Sequence, residues 1–589
     1  MDKSNNQQKA GETSAGVAEV IYPQRFAAAD RSKAAGIYFR EPVIARLAEF
    51  FEAKGLARLK EEDQREEWYA DWIEYQARHR IYATVLAPKQ FAKLGGAFDL
   101  LRLVRLLEVF AYYSPGHGYS LQVTFLGLFS ILMGENEALK REAVAALEAG
   151  GLMGFGISEK GHGSDLFGNE FAIRPAGEGK FLANGRKYYI GNANVAAMIS
   201  ILARKEDEQG RVKRVPFVSF AIRPGVAKAY RCVGKIRTLG VRAAFVGELE
   251  VVNHELPASD IVADGRGAWD ASFGTVTLGK FFLGFASIGI CERAMEEALA
   301  HLRGRILYGK PVMAMPHIRA LASQAYVRLT AMKLYAYRAL DYVRAASEQD
   351  RRYLLYNAVQ KAKVSTEGVK VIGLLSECMG ARGLESDTFF EMALRDAQLV
   401  PGLEGSTHIN LGMTTQFAAK YFAREASELK APGSLVAGEA AGGENPYLME
   451  AKTGATNTIS FGHFLNAYRP LVGVGNVRIF ARQAKVFAMF LKRREKPASG
   501  DEAAIPIGQC VATIAYGQLV AENALRLGVP LELMGTIFQM LVGDLSGFAM
   551  ALAAHPAMGG RERRLMGRMV VIPKASGGDW EFVAGRVGG

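Results

Sequence analysis

The 589-residue sequence predicts a mainly α-helical protein with a β domain at its centre. Three observations carry that expectation. Apolar residues recur at three-to-four spacing through residues 37–151, the period shortens to that of strands through 152–265, and helical spacing returns from 266 onwards. The length exceeds what one core holds and implies several packed units.

Residues 1–36 begin MDKSNNQQKAGETSAG, which is polar and lacks an apolar stretch, so a flexible terminus and no signal peptide are expected. In 37–151, REPVIARLAEFFEAKGLARLK and DLLRLVRLLEVFAYY set apolar stripes between charges, and ENEALKREAVAALEAG runs into a helix stop at Gly150-Gly151. In 152–265, FAIRP, GKFLANGRKYYI, VPFVSFAIRPG and FVGELEVVNHELP read as strands, with Asn184-Gly185 signalling a hairpin. Residues 266–430 hold ERAMEEALAHLRGRILYG and a helical run from Met315 to Arg344, and APGSLVAGEAAGGENP marks a linker over 431–446. Residues 447–589 add at least three helices, in VRIFARQAKVFAMFLKRREK, GQCVATIAYGQLVAENALRLG and LELMGTIFQMLVGDLSGFAMALAAH.

With 49% apolar and 22% charged residues, the composition is that of a soluble globular protein. The net charge of +12 favours anionic partners: nucleotides, CoA phosphates, acidic proteins or membrane surfaces. The four cysteines are far apart and form no CxxC, so neither a metal site nor a disulfide framework is expected. The longest apolar runs, 275–291 and 533–554, are interrupted by Lys280 and Asp544, short of the ~20 clean residues that span a bilayer. A cytoplasmic location is expected. The basic residues Lys492, Arg493, Arg494, Arg561, Arg563, Arg564 and Arg568 read as solvated faces or helix ends, with contact to a membrane surface or nucleic acid as the alternative.

Chemistry concentrates in a few segments. EMALRDAQLVPGLEGSTHINL (391–411) sets Glu404 on a tight turn before Gly405, with Ser406 and Thr407 placed to cap a helix that begins near His408. A carboxylate held there can be aimed into a cleft as a general base; the alternative is a solvated loop glutamate. In FGISEKGHGSD (155–165), Gly161 and Gly163 let backbone amides approach a ligand, and Ser158 and Ser164 offer hydroxyls, unless this is an ordinary turn-rich loop. His162 in that loop is either structural or functional. KYYIGN (187–192) offers the aromatic face of Tyr189, and RILYGKP (305–311) offers the Arg305 guanidinium, whose fork suits a diphosphate.

Read in order, GARGL (Gly380 to Leu384), Arg395-Asp396-Ala397 and Glu404 of EGST resemble the acyl-CoA dehydrogenase family, whose signature runs GGxGF, RDA, YEGT. The resemblance covers about 100–425. It implies an N-terminal helical domain, a β-barrel-like middle domain and a C-terminal helical bundle. The extra C-terminal helical domain resembles that of acyl-CoA oxidases and very-long-chain dehydrogenases. The resemblance further implies FAD as cofactor, with Phe155, Ile157 and Ser158 along the flavin ring and Ser164 touching both flavin and the CoA portion. Tyr189 packs on the flavin. Gly191 stands where the family has a threonine hydroxyl on the reactive flavin nitrogen, a departure that alters redox tuning and widens oxygen access, unless a backbone amide replaces the donor. Arg305 and Tyr308 reach the flavin pyrophosphate, and Gly380 and Gly383 its adenylate half, both from a neighbouring subunit. Ser406 and His408 stand where the family has Thr and Gln facing the flavin, with a plain helix-face residue as the alternative for His408, and Lys280 and Gly405 face the substrate.

The implied reaction is α,β-desaturation of an acyl thioester carried on CoA or an acyl carrier protein, with Glu404 taking the α-proton. Electrons pass to an electron-transfer flavoprotein. An oxidase passing them to oxygen is the alternative that Gly191, His162 and the extension favour. A nucleic-acid-binding flavoprotein of the same fold is a third reading, permitted by the charge and opposed by the intact Glu404, so nucleic acid is not an expected partner. Cross-subunit cofactor contacts imply a homodimer or homotetramer.

Overall fold

The computed structural model describes residues 41–423, 429–450, 459–494 and 502–588. The expected flexible terminus, 1–36, lies outside these residues. The chain divides into two compact units, the first built from Glu41–Phe282 with residues 442–450, the second from 283–441 and 459–588 as far as they are described.

The first unit opens with helices α1 (Pro42–Arg65), α2 (Ala70–His79), α3 (Ile81–Leu86), α4 (Leu100–Tyr113), α5 (Pro115–Leu132) and α6 (Glu137–Glu148). Their starts follow side-chain capping: the Asp99 carboxylate accepts from Arg102 N, and Asn136 Oδ1 accepts from the amides of Ala138 and Leu139. Helix α5 is buried on nearly every side, and its sequence is correspondingly apolar all round.

Eight strands follow: β1 (Leu152–Gly156), β2 (Ala172–Pro175), β3 (Lys180–Gly191), β4 (Ala196–Glu206), β5 (Val212–Ile222), β6 (Tyr230–Lys235), β7 (Val246–Pro257) and β8 (Ile261–Asp264). They hydrogen-bond in the order β6-β7-β3-β2-β4-β5-β8, with β1 parallel to β4. Phe171, Ile173, Ile190, Ile201, Phe220 and Leu249 are among the buried residues that form its core. The expected hairpin at Asn184-Gly185 is absent. Both residues lie inside β3, where the register against β7 slips between Ala183 and Gly185. Gly185 adopts φ +154°, and a Cβ there would come within 2.5 Å of the Phe171 ring, so the dipeptide makes a bulge over an aromatic neighbour instead of a turn. The β2–β3 reversal falls earlier, at 176–179, where Ala176 N donates to Lys180 O. Part of the sequence expected as a linker is anchored in this unit: Glu444 accepts from the backbone amides of Lys89 (2.8 Å) and Phe98 (2.7 Å).

Helix α7 (Gly265–Gly304) carries the chain from the first unit to the second. There follow α8 (Pro316–Arg344), α9 (Tyr353–Val359), a π-helical turn (Gln360–Val364), α10 (Ser365–Met379), α11 (Phe389–Leu399) and α12 (Thr407–Tyr421). The C-terminal region adds α13 (Gly475–Arg493), α14 (Ala504–Arg526), α15 (Leu531–Ala554), α16 (Gly560–Gly567) and α17 (Gly577–Gly588), five among the described residues where the apolar patterns announce at least three. Helix α14 packs closely on its neighbours: Asn523 Nδ2 donates to Leu334 O (2.8 Å), and Glu522 accepts from Arg338 Nε (3.0 Å) and the Tyr342 hydroxyl (3.0 Å).

One expectation about apolarity changes, and one about charge holds. Helices α7, α14 and α15 are each long and apolar enough to cross a membrane by length and composition, so Lys280 and Asp544 do not exclude that reading by sequence. In α7 and α14, 78% of the apolar window is buried within the protein. The basic C-terminal set keeps its reading as solvated faces and helix ends: Lys492, Arg493, Arg561, Arg564 and Arg568 are exposed, Arg563 donates to the carbonyls of Ala553 and His555 at the end of α15 and of Met558 beyond it, and Arg494 pairs with Glu562 (3.0 Å).

Candidate functional site

The candidate residues divide between the units. Phe155, Ile157, Ser158, Ser164, Tyr189, Gly191 and Lys280 belong to the first; Arg305, Tyr308, Gly380, Gly383, Glu404, Gly405, Ser406 and His408 belong to the second.

In the first unit, β1 ends at Gly156 and the chain turns along β3. Tyr188 N donates to Ser158 O (2.9 Å) and Ser158 Oγ donates to Tyr188 O (2.6 Å), which brings the 155–158 and 187–191 motifs together. Beneath this turn lies a charge cluster that motif matching did not reveal. Fully buried Lys187 donates to Glu159 Oε1 (2.8 Å), Asn169 Oδ1 (2.8 Å) and Ile157 O (3.2 Å), while Glu159 accepts from the amides of Glu170 and Phe171. Burial lowers the Lys187 ammonium to about 8, against the opposing pull of Glu159. For Glu159, burial pushes the carboxyl up, but Lys187 and the two amides outweigh it and hold it below its usual value. The cluster fastens both ends of the glycine loop. Within that loop, His162 Nδ1 is 3.3 Å from Asp165 Oδ2, and its ring lies where a Cβ on Gly168 would go; the histidine folds onto its own loop. Ser164 is exposed at the loop tip.

Tyr189 is 57% exposed and holds φ +64°, and Asn192 holds φ +58°. The Asn192 Nδ2 donates to Ser120 O, Thr124 Oγ1 and Met153 O, fixing the strand end beside α5. At Gly191 a Cβ would sit 2.4 Å from Val123 Cγ2 and 2.9 Å from Tyr119 Cε1. The volume a threonine Cβ would occupy is therefore filled by α5, with no side-chain-sized gap at this position. Lys280 is buried in α7, where Gln122 Nε2 donates to the preceding Gly279 carbonyl (2.9 Å).

In the second unit, Glu404 sits on the expected turn with φ +49°, followed by Gly405 at φ +89°. Left-handed backbone is uncommon for a residue with a Cβ and collects at functional sites. The side chain is half-buried. Capping differs from expectation: Ser406 occupies the N-cap of α12 without accepting from it, because its hydroxyl meets His408 Nδ1 at 2.9 Å. The turn is closed instead by Asn410 Nδ2, which donates to the carbonyls of Gly405 (2.8 Å) and Ser406 (3.1 Å). Upstream, fully buried Lys361 donates to Pro401 O (2.9 Å), a contact whose sequence signal was a lysine among apolar neighbours in a helical run.

Arg305 follows the end of α7 and leads into a two-residue hairpin, Ile306–Leu307 against Lys310–Pro311, with Tyr308 (φ +52°) and Gly309 (φ +76°) at the turn. Tyr308 is 94% exposed. Gly380 (φ +59°) opens the 3-10 turn Gly380–Leu384, and Gly383 is buried against Met379. A cavity of about 950 Å³ in this unit is lined by Arg303, Met313, Arg319 and Trp580, with no residue of the Glu404 turn in its lining.

Residues 154–253 match the acyl-CoA dehydrogenase middle domain, and residues 266–418 match the acyl-CoA dehydrogenase C-terminal domain. Cyclohex-1-ene-1-carbonyl-CoA dehydrogenase of Syntrophus aciditrophicus is 25% identical over 333 residues, 56% of this chain and 78% of that protein. Among solved structures, butyryl-CoA dehydrogenase from Megasphaera elsdenii aligns with TM-score 0.58 at 19% identity, covering 67% of this chain and 99% of its own. An acyl-CoA dehydrogenase complexed with FAD from Bacillus anthracis aligns with TM-score 0.70 at 15% identity over 97% of this chain and 96% of that one, so the C-terminal helices too belong to a shared fold.

Proposed function

We propose that this chain, whose residues 154–253 and 266–418 match the middle and C-terminal domains of acyl-CoA dehydrogenases, desaturates an acyl-CoA thioester between Cα and Cβ with Glu404 as base. The observation that supports this reading best is the Glu404 carboxylate on a left-handed turn at the start of α12, held by Asn410. A backbone cost of roughly 1–3 kcal/mol at a glutamate is retained where the side chain must point one way.

FAD fits the residues present. In the first unit, the exposed aromatic face of Tyr189 and the Ser158 and Ser164 hydroxyls suit a flat heterocycle, and in the second the exposed Arg305 guanidinium suits a diphosphate. When bound, FAD supplies the hydride acceptor for the β-hydrogen. The chain's own part is to hold the thioester and move the α-proton to the Glu404 carboxylate. An α-proton is a weak acid, so the thioester oxygen needs a donor as its negative charge grows. The backbone N–H of Glu404 is the group at the base's own position that serves.

An electron-transfer flavoprotein is the proposed acceptor, supported by the closed packing at Gly191, where α5 leaves no side-chain-sized opening beside the strand. The exposed hairpin at Tyr308 supports a homo-oligomer in which a second chain completes the cofactor site.

The test is visible absorbance of the FAD-loaded protein mixed anaerobically with acyl-CoAs from butanoyl to palmitoyl, then opened to air. Bleaching that persists in air is expected, and prompt recovery with peroxide would make the protein an oxidase. Glu404→Gln is expected to keep its flavin and lose roughly 10²–10⁴-fold in bleaching rate. Wild-type bleaching in that variant would assign the base elsewhere.

A further inference from the structure

We infer that Lys361 is a positioning residue for the base, acting from the π-helical turn Gln360–Val364, which the C-terminal helices hold in place; this rests on the reading of Glu404 as base. The Lys361 ammonium is fully buried and donates to Pro401 O at 2.9 Å. Pro401 lies in the 3-10 turn Val400–Gly402, closed by Leu403 N on Val400 O, which delivers the chain directly to Glu404. A buried ammonium costs more than the apolar side chain that would fill the same place, so packing alone does not account for it.

The turn itself is unusual. π-Helical turns are rare and recur at functional sites. Lys361 and Lys363, two residues apart, project to opposite sides of a helix. While Lys361 reaches the Pro401 carbonyl, Lys363 reaches Asp544 Oδ2 (3.0 Å) on α15 and Glu367 Oε1 (2.9 Å) on α10. Gln360 at the start of the turn is fully buried against Gly284 of α7, where a Cβ would fall 2.3 Å from its Nε2. The turn thus has no room to slide. One lysine fixes it to the C-terminal helices, and the other passes that fixed position to the base's loop.

Wild type, Lys361→Met, Lys361→Arg and Glu404→Gln are compared as FAD-loaded proteins, using the straight-chain acyl-CoA that bleaches wild type fastest. Lys361→Met is expected to lower the limiting rate of flavin reduction roughly ten- to a hundredfold, the size of effect a misplaced catalytic group gives, with half-saturation changed by less than about threefold. Amide hydrogen exchange over 402–406 is expected to quicken, and Lys361→Arg to restore most of the rate. An unchanged limiting rate and exchange in Lys361→Met, beside a dead Glu404→Gln, would overturn the inference alone. Normal reduction by Glu404→Gln would overturn the base assignment instead. Should Lys361→Met fail to fold, Asp544→Asn reports on the same path: a limiting rate lowered about threefold or more with flavin retained is expected, and a wild-type rate would refute the coupling.

Discussion

Gly191 shows how a single residue can be named by sequence and still be misjudged. Motif comparison places it where a threonine hydroxyl is expected, and that suggests a gap. The structure fills the gap from the other side, with Val123 and Tyr119 of α5 occupying the side-chain volume. Gly191→Thr is therefore expected to destabilise the protein by about 1–3 kcal/mol through overpacking. Val123→Ala in the same chain is expected to return much of that loss, a coupling that thermal melts of the two single variants and the double variant would measure. Simple additivity would mean that the threonine escapes α5. The strained residues divide in the same way. Tyr189, Tyr308 and Glu404 were all named from their motifs, yet that each holds a left-handed backbone is visible only in the fold. Sequence spacing identifies which residue carries a function; it does not report what crowds it.

Among the elements, strand β3 and the loop it supports were legible in outline. Their fastening was not. Alternation of residue type predicted the strand, and Asn184-Gly185 predicted a turn because that pair favours left-handed backbone. Here the same preference serves a bulge over Phe171, a tertiary contact no local pattern encodes. The Lys187–Glu159–Asn169 cluster was equally hidden, because its members lie far apart along the chain and meet only when the loop closes. It carries a pH signature. An unfolded lysine holds its proton to about 10.5, whereas Lys187 in the fold loses it near 8. Between those values the unfolded chain binds the extra proton, so the stability this site contributes rises with pH across that window. Below 8 both states are protonated and the full cost of burying the cation remains. Relative to Lys187→Met, wild type is expected to gain up to roughly 3 kcal/mol from pH 8 to 10.5, read from urea midpoints. A flat difference across that range would mean that Lys187 stays charged in the fold.

Across the whole molecule, the open question is whether the C-terminal helices are an appendage or part of the machinery. Their apolar stripes are legible in the sequence but stand beyond a linker, which makes an independent domain the natural expectation. The ion network argues otherwise. Glu367 of α10 and Asp544 of α15 share Lys363 and Arg328, all nearly or largely buried. Burial pushes the Glu367 carboxyl up, but Lys363, Arg328 and Lys370 together hold it far below the usual carboxylate range. For Lys363, burial pulls the ammonium down and the two carboxylates more than reverse it. Each group is tolerable in the interior only while the others are present. Asp544→Ala removes one carboxylate and leaves three cations, Lys363, Arg328 and Lys370, facing Glu367 alone. Breaking a buried set in this way costs about 3–5 kcal/mol, far more than losing an exposed pair. A single lowered thermal transition is expected for that variant, with absorbance of the bound flavin and far-ultraviolet circular dichroism falling together. Two separate transitions would mean that the helices fold as their own domain. By the same reasoning, a chain stopped after residue 450 would uncover Leu334, Arg338 and Tyr342 of α8, which α14 now covers through Asn523 and Glu522. Such a chain is expected to aggregate, and its recovery as soluble, yellow, active protein would show that the extension contributes nothing to the fold of the catalytic bundle.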